Sequence, residues 1–300
     1  MAARRWLALL LGVSIAIAPL NGIAQTIEEL LERGNIAHDR GHYTEAEQIW
    51  RQILERDPEH DGVYNNLGLT LRQQGKLEAA IEAYRSAIEL NPDEAAIYYN
   101  LAIALSDLGT FEEAIETYQR AIDLKPDFAT AYNRLGILLV RRGRLEEAVS
   151  AFESAIEIDP EAAILYNNLG DALRRQDNLE DATVAFRRAT ELDPNDTFAY
   201  NNLGNALIRQ GQVEEAVDAF RRATELDPNY ARAYNNLGNA LGEQGQLEEA
   251  VIAFRRAILL EPNYATAYYS LSFVLHQQGR LEEARAAYQR AIELDPSLSD

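Results

Sequence analysis

Eight of the nine prolines stand at 58, 92, 126, 160, 194, 228, 262 and 296, a constant step of 92 − 58 = 34. Proline cannot continue a helix and disfavours helical geometry in the residue before it, so each one closes an element. Glycines mark a second phase of the same interval at 41, 75, 109, 143, 211, 245 and 279, with Asp177 standing where the fifth should be. The stretch 199–207 recurs letter for letter at 233–241. A fixed period overrides any domain count read from length. Eight units follow: 27–60, 61–94, 95–128, 129–162, 163–196, 197–230, 231–264 and 265–298.

Each unit reads as two helices. In the sixth, Tyr200, Leu203, Gly204 and Leu207 lie at i, i+3, i+4 and i+7, one face of a first helix running from about Thr197 to Gln210. Gly211 stops it, since glycine closes a helix in the left-handed conformation without strain, and aspartate is among the tolerated substitutes. A second helix runs from Val213 to Leu226, with Val213, Ala216, Val217, Phe220, Ala223 and Thr224 on its inner face. Glu214 and Glu215 in its first turn oppose the positive end of the helix dipole. Pro228 ends the unit.

In the seventh unit the pattern is Tyr234, Leu237, Gly238, Leu241, Ala250, Phe254, Ala257 and Pro262, and in the third Tyr98, Leu101, Ala102, Leu105, Ala114, Tyr118, Ala121 and Pro126. This order of side chains, repeated at that period, resembles the tetratricopeptide repeat, and the resemblance covers all of residues 27–298. Departures gather at the ends: Leu30, Arg33, Trp50 and Ile53 in the first unit, Ser272 in the eighth. The resemblance implies an all-α fold, an α-solenoid in which antiparallel helix pairs stack into a right-handed superhelix with concave and convex surfaces. Gly204 and Ala216 are expected to be small because the two helices of a unit cross there, with Tyr200 and Phe220 filling the space beyond. Ala199 and Ala206 are expected to meet the neighbouring unit.

The first helix also carries amides. Asn66, Asn100, Asn168, Asn202 and Asn236 share the sixth position of their units, a run broken by Arg134 and Ser270. Asn65, Asn133, Asn167, Asn201 and Asn235 occupy the fifth, and Asp171, Asn205 and Asn239 the ninth. The sixth-position run is similar to the asparagine ladder of peptide O-linked N-acetylglucosamine transferases, where amides hold a peptide backbone; no catalytic domain of that kind follows here. The resemblance therefore implies a concave groove for an extended peptide or a partner protein, lined by these asparagines. The bland alternative is that the amides bond helix to helix. Arg134, Arg141, Arg174, Arg175 and Arg209 sit at groove-side positions, which favours an acidic ligand, although the last four also lie in the final helical turn, where the dipole favours cations. Arg134 is mid-helix and replaces a ladder asparagine. The carboxylate clamp of chaperone-binding relatives matches only at Asn100 and Arg134, so a chaperone tail is not expected.

Catalysis is not expected. There is no P-loop, Gly-x-Ser-x-Gly elbow, His-Glu-x-x-His pair or glycine-rich dinucleotide turn, and the Glu-Glu pairs recur in unit after unit, whereas catalytic carboxylates would be unique. His38 and His42 flank Gly41 and so do not share a helical face as a metal pair would; no metal or other cofactor is expected. With Lys+Arg at 28 against Asp+Glu at 48, a net charge of −20, nucleic acid and strong membrane-surface binding are disfavoured. Cysteine is absent, so the redox compartment stays open.

Residues 1–24 differ from the rest. Arg4 and Arg5 precede an apolar run from Trp6 to Ala18, too short to span a bilayer but suited to a signal peptide. Gly22, Ile23 and Ala24 place cleavage after Ala24, with an uncleaved tether as the rival, and the expected destination is the bacterial periplasm or the exterior. The expected organisation is thus a signal peptide at 1–24 and a repeat array at 25–300. The expected function is a non-catalytic scaffold holding an extended segment or partner protein. The alternative is an assembly spacer that self-associates end to end through the C-terminal repeat, where Ser297 to Asp300 are too few to form a covering helix and leave Ala287 and Ile292 partly open.

Overall fold

The computed structural model describes residues 25–299, so the expected leader at 1–24 lies outside the described residues. Sixteen α-helices and one terminal 3-10 turn account for the regular structure, and there is no strand among the described residues. The chain divides into two compact units at Leu90/Asn91. The first holds α1 (Ile27–Asp39), α2 (Tyr43–Leu54), α3 (Asp61–Gln73) and α4 (Leu77–Leu90). The second holds α5 (Ala95–Leu108), α6 (Phe111–Leu124), α7 (Ala129–Arg141), α8 (Leu145–Ile158), α9 (Ala163–Arg175), α10 (Leu179–Leu192), α11 (Thr197–Arg209), α12 (Val213–Leu226), α13 (Ala231–Glu243), α14 (Leu247–Leu260), α15 (Ala265–Gln277) and α16 (Leu281–Leu294), then the turn Pro296–Ser299.

Odd and even helices pair within a repeat, and inside each unit every even helix also packs on the next odd one. Gly211 has φ of 75°, as the turn after α11 requires, and Asp177 takes the same role at φ 67°. One detail of packing differs from expectation. Gly204 is small because the Phe220 ring itself occupies the place of its side chain: a Cβ there would lie 2.6 Å from the ring. The same holds for Gly68 against Tyr84, Gly136 against Phe152, Gly170 against Phe186 and Gly238 against Phe254. Phe220 and Phe254 are 1% exposed, whereas Tyr200 is only half-buried, so the ring of the second helix is the plug. Ala199 and Ala206 are fully buried, as are Ala233 and Ala240.

A second ladder runs along the even helices. Arg187 pairs with Glu215, Arg221 with Glu249 and Arg255 with Glu283, always at the same separation in sequence. The second glutamate of the Glu-Glu pair thus has a partner in the preceding repeat as well as a helix dipole to oppose.

Candidate functional site

The amides of the second unit meet one another. Asn168 Nδ2 donates to Asn133 Oδ1 at 2.9 Å, Asn202 Nδ2 to Asn167 Oδ1 at 3.1 Å, and Asn236 Nδ2 to Asn201 Oδ1 at 2.9 Å. Every one of these bonds joins residues 35 apart, the sixth position of one repeat to the fifth of the repeat before. Asn236 also donates to Asn205 Oδ1 at 3.2 Å. Asn201 is 4% exposed, so it is an internal strut rather than a surface rung. Asn168, Asn202, Asn236 and Asn205 are half-buried, and Asn239 is exposed. The sixth-position amides therefore set the spacing of successive odd helices while keeping one edge toward solvent.

At Arg134 both positions of this pairing differ from asparagine. The fifth-position residue one repeat earlier is Tyr99, and donor and acceptor have changed together. Tyr99 packs edge-on against Tyr118 with ring centroids 6.0 Å apart. Burial pushes the Tyr118 phenol up to about 12, against the opposing influences of its hydrogen bond with Ser106 and the positive charge of Arg134.

The other arginines divide in two. Arg174 and Arg175 both bind Asp171, the latter through Nε at 2.8 Å, and Arg209 bridges Asp177 and the carbonyl of Arg174. Arg134 and Arg141 are exposed and form no ion pair among the described residues. Both lie on α7 seven positions apart, hence on one face, roughly 10 Å along the axis. Between α7 and α9 opens a small cleft of about 170 Å³ lined by Ile137, Val140, Arg141, Asn168, Asp171 and Arg175.

Asn100 lies half-buried on α5. In the first unit Asn66 is half-buried on α3, and its backbone carbonyl accepts the Thr70 hydroxyl at 2.8 Å. Thr70 is fully buried and also meets Trp50 Nε1 at 3.0 Å and His38 Nδ1 at 2.9 Å. With its own proton committed to Asn66, the hydroxyl can only accept from the other two, which puts the His38 proton on Nδ1. That network explains why His38 and Trp50 depart together from the later repeats. No three His, Cys, Asp or Glu side chains gather to hold a metal among the described residues, and no helix there is long and apolar enough to cross a membrane.

Sequence reasoning passed over two further features. Asn235, also 4% exposed, has a buried Oδ1 with no hydrogen-bond partner. On α15, Tyr269 and Phe273 stack edge-on at 4.9 Å, with Phe273 54% exposed. The signal was in the sequence: these aromatics stand at the fifth and ninth positions, where the two preceding repeats carry asparagine.

Stacked antiparallel helix pairs repeating at a constant interval of 34 residues, joined in the second unit by a repeated side-chain ladder, define an α-solenoid. The chain belongs to the tetratricopeptide repeat family. The family described as the cilia and flagella-associated protein 70 C-terminal domain matches residues 22–233, and two described as tetratricopeptide repeat match 236–299 and 219–252. No curated protein matches the chain. Among solved structures, it is similar to YrrB, described as a TPR protein with an unusual peptide-binding site, at 32% identity over 66% of this chain and 99% of that one, with a TM-score of 0.55. It is similar to MamA at 26% identity over 54% of this chain and 95% of that one, TM-score 0.52. The C-terminal part of a repeat protein from Cytophaga hutchinsonii shares the fold at 18% identity over 80% and 98%, TM-score 0.67. Folds of this class are scaffolds that bind proteins or peptides.

Proposed function

We propose that the second unit holds an extended acidic segment of a partner protein along the face of α7 and α9, without catalysis. The observation that carries this reading is the pair Arg134 and Arg141, two exposed cations without partners on one helical face, beside a cleft lined by Ile137, Val140, Asn168 and the Asp171–Arg175 ion pair, in a chain of net charge −20. Unpaired cations in so acidic a molecule attract carboxylates, and arginine binds a carboxylate through two parallel hydrogen bonds. The half-buried edges of Asn168 on α9, and of Asn202 on α11 and Asn236 on α13 beyond it, supply weaker polar contacts. The similarity to YrrB supports peptide capture as the mode. Panning a random peptide display library on the purified chain is expected to enrich segments rich in Asp and Glu. Arg134→Glu with Arg141→Glu should weaken their binding at least about tenfold, and wild-type binding should weaken with salt. Enrichment without acidic bias, or charge reversal without effect, removes the reading.

A second reading is association of two copies through the last repeat. It is favoured by a cleft of about 410 Å³ lined by Phe273, His276, Leu281, Ala284 and Tyr288, with Leu281 58% exposed. The first repeat bears Glu28, Glu29 and Glu32, and Glu29 is tied into a capping box with Thr26, so back-to-back contact of two last repeats is the form this reading takes. Sedimentation over a concentration series tests it, and a strict monomer discards it. We extend the proposal to export: N-terminal sequencing of the protein from the native envelope is expected to begin at Gln25, and an intact Met1 in cytosol would count against it.

A further inference from the structure

The residue 35 beyond Asn235, where the amide pairing calls for a donor, is Ser270, whose side chain is too short for the role. Asn235 Oδ1 is left buried and unpartnered. Ser270 itself lines a cleft of about 460 Å³ between α13 and α15, whose walls also include Asn239, Gly242, Tyr269 and Phe273. Three substitutions relative to the repeats before account for it. Serine replaces the ladder asparagine, Gly242 stands where α9 has Arg174 and α11 has Ile208, and Phe273 replaces an exposed asparagine. The cleft therefore combines an exposed ring, an aromatic neighbour stacked on it at 4.9 Å, and a small residue at the ladder position whose partner acceptor, by the register of the three observed bonds, is the unsatisfied Asn235 Oδ1.

We propose that this cleft is a peptide subsite that takes an aromatic side chain against Phe273 and Tyr269, with a backbone N–H of the same segment turned past Ser270 toward Asn235 Oδ1. It rests on the reading that the second unit captures extended segments and adds a position with a different preference. The occupant is extended because a helix commits its backbone N–H groups internally, whereas an extended strand has them free. It is aromatic rather than acidic because rings pair edge-to-face and Glu243 on the wall repels a carboxylate.

The probes are acetyl-Gly-Phe-Gly-amide and acetyl-Gly-Ala-Gly-amide, titrated into the isotope-labelled full chain by NMR. Saturable shifts at Gly242, Ser270 and the Asn235 side-chain amide are expected with the phenylalanine peptide, at least about tenfold weaker with alanine, since most of the buried apolar area is lost. Two variants close the site by different routes. Gly242→Leu fills it, and the fold should bear the change, because a Cβ at Gly242 meets only Val274, at an ordinary 3.5 Å. Ser270→Asn supplies the missing donor. Both are expected to cut binding at least tenfold with the helical signal unchanged. Equal binding of both peptides, none of either, or undiminished binding to Gly242→Leu overturns the proposal; so does concentration-dependent dimerisation that perturbs the same resonances without peptide. Arg134→Glu with Arg141→Glu should leave these titrations unchanged, so the acidic-segment reading and this one fail separately.

Discussion

Asn235 shows how one residue can be correct for its repeat and wrong for its neighbour. A buried acceptor without a donor costs about 1 to 3 kcal/mol, and Ser270→Asn should recover about 1 kcal/mol of that by restoring the bond its three equivalents make. A raised midpoint in denaturant with unchanged slope is the expected result. Glu47 is a second residue whose contribution can be isolated. The Lys76 ammonium, 2.7 Å away, holds its carboxyl near 2 instead of the ordinary 4.5, with help from Gln74 and Arg51. A depressed folded value means the stabilisation is fully present above about pH 4.5 and is lost as pH falls toward 2. Acid unfolding of Glu47→Gln should therefore show a smaller loss of stability over that window than wild type, while the two proteins converge at its acid end. Equal slopes in the two pH titrations would contradict the assignment.

At the scale of the element, α9, α11 and α13 are each a hydrophobic plate on one side and an amide rail on the other. The plate is legible from the i, i+3, i+4, i+7 spacing of Tyr200, Leu203, Gly204 and Leu207, and the structure buries all but Tyr200 deeply. The rail was legible as a stripe, and as one of two alternatives its amides were expected to bond helix to helix. Which amide meets which was not legible, because a hydrogen bond between positions 35 apart depends on the offset between neighbouring repeats. The rail makes a sharp prediction. Asn236→Ala strands Asn201 Oδ1 in a site 4% exposed and should cost about 1 to 3 kcal/mol. Adding Asn201→Ala should cost less than the sum of the two single changes, giving a coupling of roughly 1 kcal/mol in a double-mutant cycle. Simple additivity would mean the two amides do not meet in solution. The arginine–glutamate ladder on the even helices is half-exposed, so Arg221→Ala is expected to change stability by no more than about 1 kcal/mol.

At the scale of the whole molecule, stability in a repeat array is a sum of repeat terms and nearest-neighbour interfaces. The repeat 265–298 is the more open one: Phe273 and Leu281 are 54% and 58% exposed, and Tyr288 is half-open where Phe220 and Phe254 are 1% exposed. Hydrogen exchange should accordingly be faster in α16 than in α12 or α14, and equal protection would mean that something covers the end. The strong negative charge acts at this scale too, since it makes like molecules repel one another and disfavours nonspecific association with anionic surfaces.

The sequence by itself determined the architecture. Proline and glycine recurring at one fixed interval set element ends through backbone sterics, and the apolar spacing set each helix's buried face; both are local effects that need no knowledge of the neighbours. Tertiary structure alone decided which amides are struts, which arginines are neutralised, and where the ladder leaves an acceptor unserved. Those outcomes turn on contacts such as Asn236 to Asn201 at 2.9 Å and to Asn205 at 3.2 Å, between side chains one repeat apart, and such distances exist only once one repeat has been laid on the next.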